Sequence, residues 1–349
     1  VNLLIVKLGS IGDIVHTLPA LAAIRQSLPE AQISWAVEKR AAEILRDNRL
    51  LSRLIEVDTK AIRRQATLGE TLRILRRQIS YLRTSTFDLA LDFQGLIKSA
   101  VIAKLSGAKR RFGFSRRALR ERQSRWLLTD TIEVPIHKNI IVKNLSLAAQ
   151  ALQISVPQIP ADFIFPIQTN EIHEQEAEKV IAQINSDFAI LNPGGGWATK
   201  LWKAENFGLL ADKIWENTGL HSIISIGPGE EDLARRAINA SRTGKILATN
   251  LSLRGFYALS RRARICVGGD TGPTHLAVAA GTPVVGLFGP TEWWRNGSPR
   301  PEDICVERND IGCRENCHRR TCDNWICLNI EVETVWQAVK RRLELIFDF

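Results

Sequence analysis

The sequence predicts an α/β protein made of two parallel-sheet halves joined by a linker. Three observations carry that prediction. Apolar runs of strand length alternate with stretches of helical periodicity, as in parallel sheets covered by helices. The alternation starts twice, at Leu3 and again at Phe188. Between the two starts, residues 155–167 hold three prolines and interrupt the pattern. The expected division is a first domain over 1–160, a second over 161–330, and a final helix over 331–349 packing back towards the first domain.

The elements follow in order. Residues 3–8 are continuously apolar apart from Lys7, which suits a central parallel strand. The turn Gly9-Ser10-Ile11-Gly12-Asp13 leads into a helix with Leu18, Leu21, Ala22 and Arg25 at helical spacing; Pro19 either kinks it or marks its start near Thr17. Residues 32–37 and 89–93 read as further strands, and 66–82 as a helix. The second half has strand 188–192, the loop Pro193 to Lys200, and a helix carrying Phe207, Leu210, Ala211, Ile214 and Trp215 on one stripe. Strand 222–226 and the turn Gly227 to Asp232 come next. Then a strand at 265–267 runs through a glycine-rich turn into a short helix, with Pro273 in its first turn and Gly281 at its left-handed exit. Strand 284–288 follows, and the last helix aligns Val332, Val335, Val339 and Leu343.

Composition narrows the function classes. Hydrophobic content of 45% and charged content of 24% are those of a globular protein. No apolar run approaches the roughly 18 residues of a membrane-spanning helix, and the first residues lack a signal-peptide pattern, so a cytoplasmic location is expected. The net charge of +10 is uneven. Residues 1–160 hold 26 Lys and Arg against 13 Asp and Glu, and the rest 21 against 24. One half therefore attracts anions: nucleic acid, a membrane surface or an acidic substrate.

The candidate site residues sit in strand-to-helix turns, where open α/β sheets bind ligands. Asp13 reads either as a helix N-cap or as a general base. The segment Pro193 to Trp202 is neither a P-loop nor a dinucleotide fingerprint. Its glycines, among them Gly195 and Gly196, let amides approach a phosphate, and Lys200 adds a point charge. Glu230 reads as a ribose acceptor or a favourable first-turn acid. Asp270, Thr271, Gly272 and His275 stand at a helix N-terminus that favours phosphate. Lys109 to Arg125 carries eight basic residues and one Glu, and Lys60 to Arg83 seven against Glu70. Each run is a solvated face or an anion cradle, with too few aromatics for a single-stranded nucleic-acid platform. Cys313, Cys317, Cys322 and Cys327 depart from the usual paired zinc spacing, so no metal site is expected, and the segment is expected to lie away from the chemistry. A nucleic-acid-binding protein with a cysteine-held metal is the rival from another class. A nicotinamide oxidoreductase is weaker, since its fingerprint is missing.

Five motifs in order, KLGSIGDIVHTLPAL, LDFQGLIKSA, LNPGGGWATKLW, a GPGEE turn and GDTGPTHLAVAAGTPVVGLFGPT, resemble the family-9 glycosyltransferases, the lipopolysaccharide heptosyltransferases. LDFQGLIKSA and IHKNIIVKN look most like heptosyltransferase I. The resemblance implies a GT-B fold, two Rossmann-like domains facing a cleft. It implies inverting, metal-independent transfer of heptose from ADP-L-glycero-D-manno-heptose to the Kdo of lipid A, with no cofactor, at the cytoplasmic face of the inner membrane. Heptosyltransferase II and a protein-modifying heptosyltransferase are the alternatives within the family. Carried over by motif, Asp13 is the general base and Lys200, with Gly195 and Gly196, holds the diphosphate. Asp270, Thr271, Gly272 and His275 form the donor loop, Glu230 meets the ribose, and Arg63, Arg64 and Arg120 meet the anionic acceptor. Lys203 departs from the family, where many members carry proline, and the cysteine-rich tail maps onto no family role.

Overall fold

The computed structural model describes residues 1–59, 68–314 and 317–345. The chain divides into two units, Val1–Gln168 and Thr169–Phe349. In the first, strands β1 (Asn2–Val6), β2 (Gln32–Glu38), β3 (Arg53–Val57), β4 (Leu89–Asp92), β5 (Arg110–Phe114) and β6 (Asp130–Ile132) form one sheet. Its order is β3-β2-β1-β4-β5-β6, and every pairing is parallel. Its helices are α1 (Ile11–Val15), α2 (Leu18–Ser27), α3 (Leu68–Leu82), α4 (Ile97–Leu105) and α5 (Ile140–Leu152). Leu3, Leu4, Ile5 and Val6 are wholly buried, because a central parallel strand is covered on both faces. Helix α2 starts at Leu18 with the proline in its first turn, so Pro19 marks the start and does not kink the helix.

The second unit repeats the plan. Strands β7 (Phe188–Asn192), β8 (His221–Ser225), β9 (Ile246–Thr249), β10 (Ile265–Gly269), β11 (Val284–Phe288) and β12 (Ile304–Glu307) pair in the order β12-β11-β10-β7-β8-β9, again all parallel. Helices α6 (Glu171–Ile184), α7 (Ala204–Thr218), α8 (Glu231–Ala240), α9 (Leu253–Ser260), α10 (Gly272–Ala280), α11 (Trp293–Asn296) and α12 (Val332–Glu344) accompany them. Val335, Val339 and Leu343 of α12 are buried in the core of this unit, with α12 against α7 and the β10–β12 strands. Gly281 exits α10 at φ +88, as its position predicts.

Strands β3, β5, β6, β9 and β12 are additions to the strands expected from the sequence, being short or broken by charge. Most are outer strands and half-exposed, so Arg53, Glu56, Arg110, Arg111 and Asp130 interrupt their apolar pattern. One basic run is thereby partly structural: Arg110 pairs with Asp130 at 2.8 Å, and Arg111 donates to the carbonyls of Leu127 and Ala108. The strand order in each sheet reverses once, between β1 and β4 and between β7 and β10, while all strands stay parallel. At such switch points the loops splay apart and leave a crevice beyond the strands' carboxyl ends. Those are the two places to look for chemistry.

Candidate active site

At the first switch point the turn after β1 builds a capping box. Ser10 is the N-cap of α1, and its side chain accepts from the Asp13 amide. The Asp13 carboxylate accepts in return from the Ser10 N–H at 3.0 Å. The N-cap reading of Asp13 is therefore corrected to the third helical position, which aims its carboxylate back at the turn. Lys7, just past β1 and 2% exposed, donates to the Phe93 carbonyl at 2.8 Å and lies 3.4 Å from Asp13 Oδ1. Gln94 closes the arrangement. Its Oε1 accepts from the amides of Leu8 and Gly9, and its Nε2 stands 3.5 Å from Asp13 Oδ2. Burial disfavours charge on Asp13, but the Lys7 ammonium, the Ser10 amide and His16 outweigh it and hold the carboxyl well below its usual range. About a third of the Asp13 side chain stays exposed, so it can meet a substrate.

Asp92, wholly buried beside this pair, goes the other way: burial pushes it up to about 6. It accepts from the amides of Gln94 and Gly95 and from the Ser99 hydroxyl, fixing the loop that carries Gln94. Arg120 is exposed, with its backbone against Gly95 of that loop. Arg63 and Arg64 lie outside the described residues.

At the second switch point, Asn192 at the end of β7 donates to Thr271 Oγ1 at 2.7 Å, tying β7 to the turn after β10. Asp270, 7% exposed, is the hub. Lys200 Nζ lies 2.6 Å from its Oδ2 and 3.1 Å from its carbonyl oxygen. His275 Nε2 lies 2.9 Å from Oδ1, and Asn296 Nδ2 3.3 Å from Oδ2. Burial opposes its charge, yet His275 and Lys200 together hold the Asp270 carboxyl far below its usual range. Lys200 also sits 4.4 Å from the centre of the Trp197 ring, which fixes the ammonium from its other side. Gly272 opens α10 directly after Asp270 and Thr271, and Pro273 in its first turn brings no N–H of its own.

Glu230 staples two loops: it accepts from the Gly195 amide at 2.9 Å and the Gly227 amide at 2.7 Å. A Cβ on Gly194 would stand 2.0 Å from Glu230 Oε2, so any side chain there would push this carboxylate out of its place. The Gly195 amide is thus engaged by a side chain, while Gly196 has open space around its α-carbon.

The cysteine-rich segment does not lie away from this site, contrary to expectation. Thr199, next to Lys200, donates to the Arg319 carbonyl at 2.7 Å and accepts from the Trp325 indole at 3.1 Å. Arg320 shares the Trp197 ring with Lys200. Buried Arg314 pins the segment beneath through Glu307 and Glu292. The placing side chains lie between the cysteines, and nothing in their spacing along the chain points to Thr199 or Trp197. All six cysteines are free thiols, and among the described residues no cluster of His, Cys, Asp or Glu is arranged to hold a metal. Burial, then the neighbouring thiols of Cys317, Cys322 and Cys313, raise the Cys327 thiol.

Lys7, Asp92, Gln94, Asn192, Trp197 and Asn296 were not singled out from sequence. The first two had a usable signal, a charge at the end of an otherwise apolar strand. The others gain their meaning only from what the fold sets beside them.

Paired doubly wound sheets with charged side chains at both switch points define the GT-B architecture. The structure of E. coli heptosyltransferase WaaC with ADP has this fold, matching with a TM-score of 0.79 at 22% identity over 98% of this chain and 100% of that one. The family model "Glycosyltransferase family 9 (heptosyltransferase)" matches residues 75–325. Lipopolysaccharide heptosyltransferase 1 of Pseudomonas aeruginosa is 31% identical over 92% of this chain and 87% of its own length. The Escherichia coli K12 protein of that name is 28% identical over 83% of this chain and 88% of its own. The chain belongs to glycosyltransferase family 9, the heptosyltransferases.

Proposed function

We propose that this enzyme transfers heptose from ADP-L-glycero-D-manno-heptose to a Kdo sugar of lipid A, with inversion at the anomeric carbon, at the cytoplasmic face of the inner membrane. The relatives named lipopolysaccharide heptosyltransferase 1 support the acceptor, and the neighbour bound to ADP supports the donor. One observation carries the mechanism: Asp13 is held ionised by Lys7 yet partly open, as a base awaiting a hydroxyl must be.

Each group then has a role. The acceptor hydroxyl attacks the anomeric carbon, the bond from that carbon to the diphosphate oxygen breaks, and ADP departs with the bonding electrons. Asp13 takes the hydroxyl proton. A carboxylate held so acidic is a weak base, so transfer comes late, once the attacking oxygen carries positive charge. Lys200 and the start of α10 stabilise the departing diphosphate, a task that a divalent ion performs in other transferases. Asp270 orients Lys200 and His275 and meets the heptose hydroxyls. Glu230 holds the glycine loop in shape and offers its carboxylate to the ribose. The basic first unit receives the anionic acceptor, with Arg63, Arg64 and Arg120 as its contacts.

Asp13→Ala tests the assignment. Turnover is expected to fall by about 10²- to 10⁴-fold, the usual contribution of a general base, while ADP affinity measured by calorimetry stays unchanged. Turnover near that of the wild type overturns the role.

A further inference from the structure

Trp126 is 84% exposed, the most exposed of the large hydrophobic side chains described. It stands in the turn Arg122–Leu127, which packs against α4. On α4, Ile97 at 42% and Val101 at 36% are also exposed, and four residues apart they share one helix face. Three apolar side chains thus stand in water on neighbouring elements. Their surroundings are strongly cationic: residues 93–129 contain ten Lys and Arg and a single acid, Glu121. That acid is occupied, its carboxylate accepting from the Ile97 amide at 2.7 Å. Lys104, Arg116, Arg117 and Arg122 are exposed.

We propose that the face formed by α4 and the Trp126 turn docks onto the anionic surface of a lipid bilayer. An exposed indole with aliphatic neighbours and a basic surround is the chemistry of an interfacial anchor: the ring sits at headgroup level and the cations meet anionic headgroups. A nucleic acid would use the charge but leave Ile97 and Val101 unexplained, and a single Trp makes no stacking platform. The location adds a reason. Helix α4 grows out of the loop whose Gln94 contacts Asp13, so the docked face starts three residues along the chain from a partner of the base. A membrane-embedded acceptor would be presented to Asp13 without leaving the bilayer. This last step rests on the lipid-linked acceptor proposed above; the docking itself does not.

The test uses the whole enzyme and vesicles of phosphatidylglycerol mixed with phosphatidylcholine, against vesicles of phosphatidylcholine alone. The wild type is expected to sediment with the anionic vesicles and to be released by salt. Trp126→Ala and Arg122→Glu are each expected to weaken that binding about fivefold or more: one basic residue near an anionic surface contributes about that factor, and burying a large apolar side chain at least as much. Both variants should keep wild-type turnover on a soluble, deacylated acceptor and lose it on the vesicle-borne one. No binding of the wild type to anionic vesicles at low salt, or equal binding by the variants, overturns the proposal. So does binding of this face to nucleic acid in place of lipid. Vesicle binding that depends on Trp126 in an enzyme inactive on Kdo-lipid A upholds the docking face and instead refutes the acceptor.

Discussion

Lys7, Asp13 and Asp92 share one small region, yet the two carboxyl groups are driven in opposite directions. Both suffer burial, but only Asp13 has an ammonium within ion-pair distance. Asp92 has only neutral hydrogen-bond donors and feels Lys7 more weakly, so burial wins and its pKa rises from 3.8 to about 6. Between those values the folded state holds a proton that the unfolded chain has lost, so this residue lowers stability as pH rises through the window. The full effect is about 3 kcal/mol. In Asp92→Asn the effect is absent, so the wild type should lose roughly that much stability relative to the variant between mildly acid and neutral pH, read by urea unfolding. Asp13 and Asp270 act with the opposite sign. Their contributions are present above the ordinary carboxylate pKa and vanish only in strong acid.

Elements in this protein are placed by close approach as much as by apolar stripes. Helix α7 was legible from Phe207, Leu210, Ala211 and Ile214, all buried as their spacing demands. Its Gly208 was not, because the reason lies on another helix: a Cβ there would stand 2.1 Å from the carbonyl of Ala237 in α8. Backbone cannot rotate aside as a side chain can. Gly208→Ala is therefore expected to cost about 1–3 kcal/mol by overpacking, seen as a lower unfolding midpoint of the second unit. The Cys313 to Cys327 segment shows the same limit of local reading. Its sequence advertised thiols, while Arg314, Arg319, Arg320 and Trp325 do the placing through contacts with Glu307, Thr199 and Trp197.

Across the whole molecule the charge is partitioned: residues 1–160 carry the entire positive excess, and the remainder is slightly acidic. Exposed charges act at long range and are screened within about 8 Å at physiological salt. Lys200, with 13% of its side chain exposed, acts at contact and is screened far less. Raising ionic strength should therefore raise the KM for an anionic acceptor steeply and that for ADP-heptose only slightly, in steady-state kinetics at fixed pH. Equal salt dependence would mean that acceptor capture does not use the basic unit.

The central strands, the turns that follow them and the family are all legible along the chain. Those depend on runs of neighbouring residues: continuous apolar strands, glycine where a helix must exit at positive φ, and motifs read in order. Which charges meet depends on how the strands are assembled in three dimensions. Asp92 and Gln94 reach Lys7 and Asp13 because β1 pairs with β4 across more than eighty residues of chain, and Asp270 reaches Lys200 because β7 pairs with β10. An ion pair is fixed by distance in space. Sheet order sets that distance, and it leaves no periodic trace along the chain.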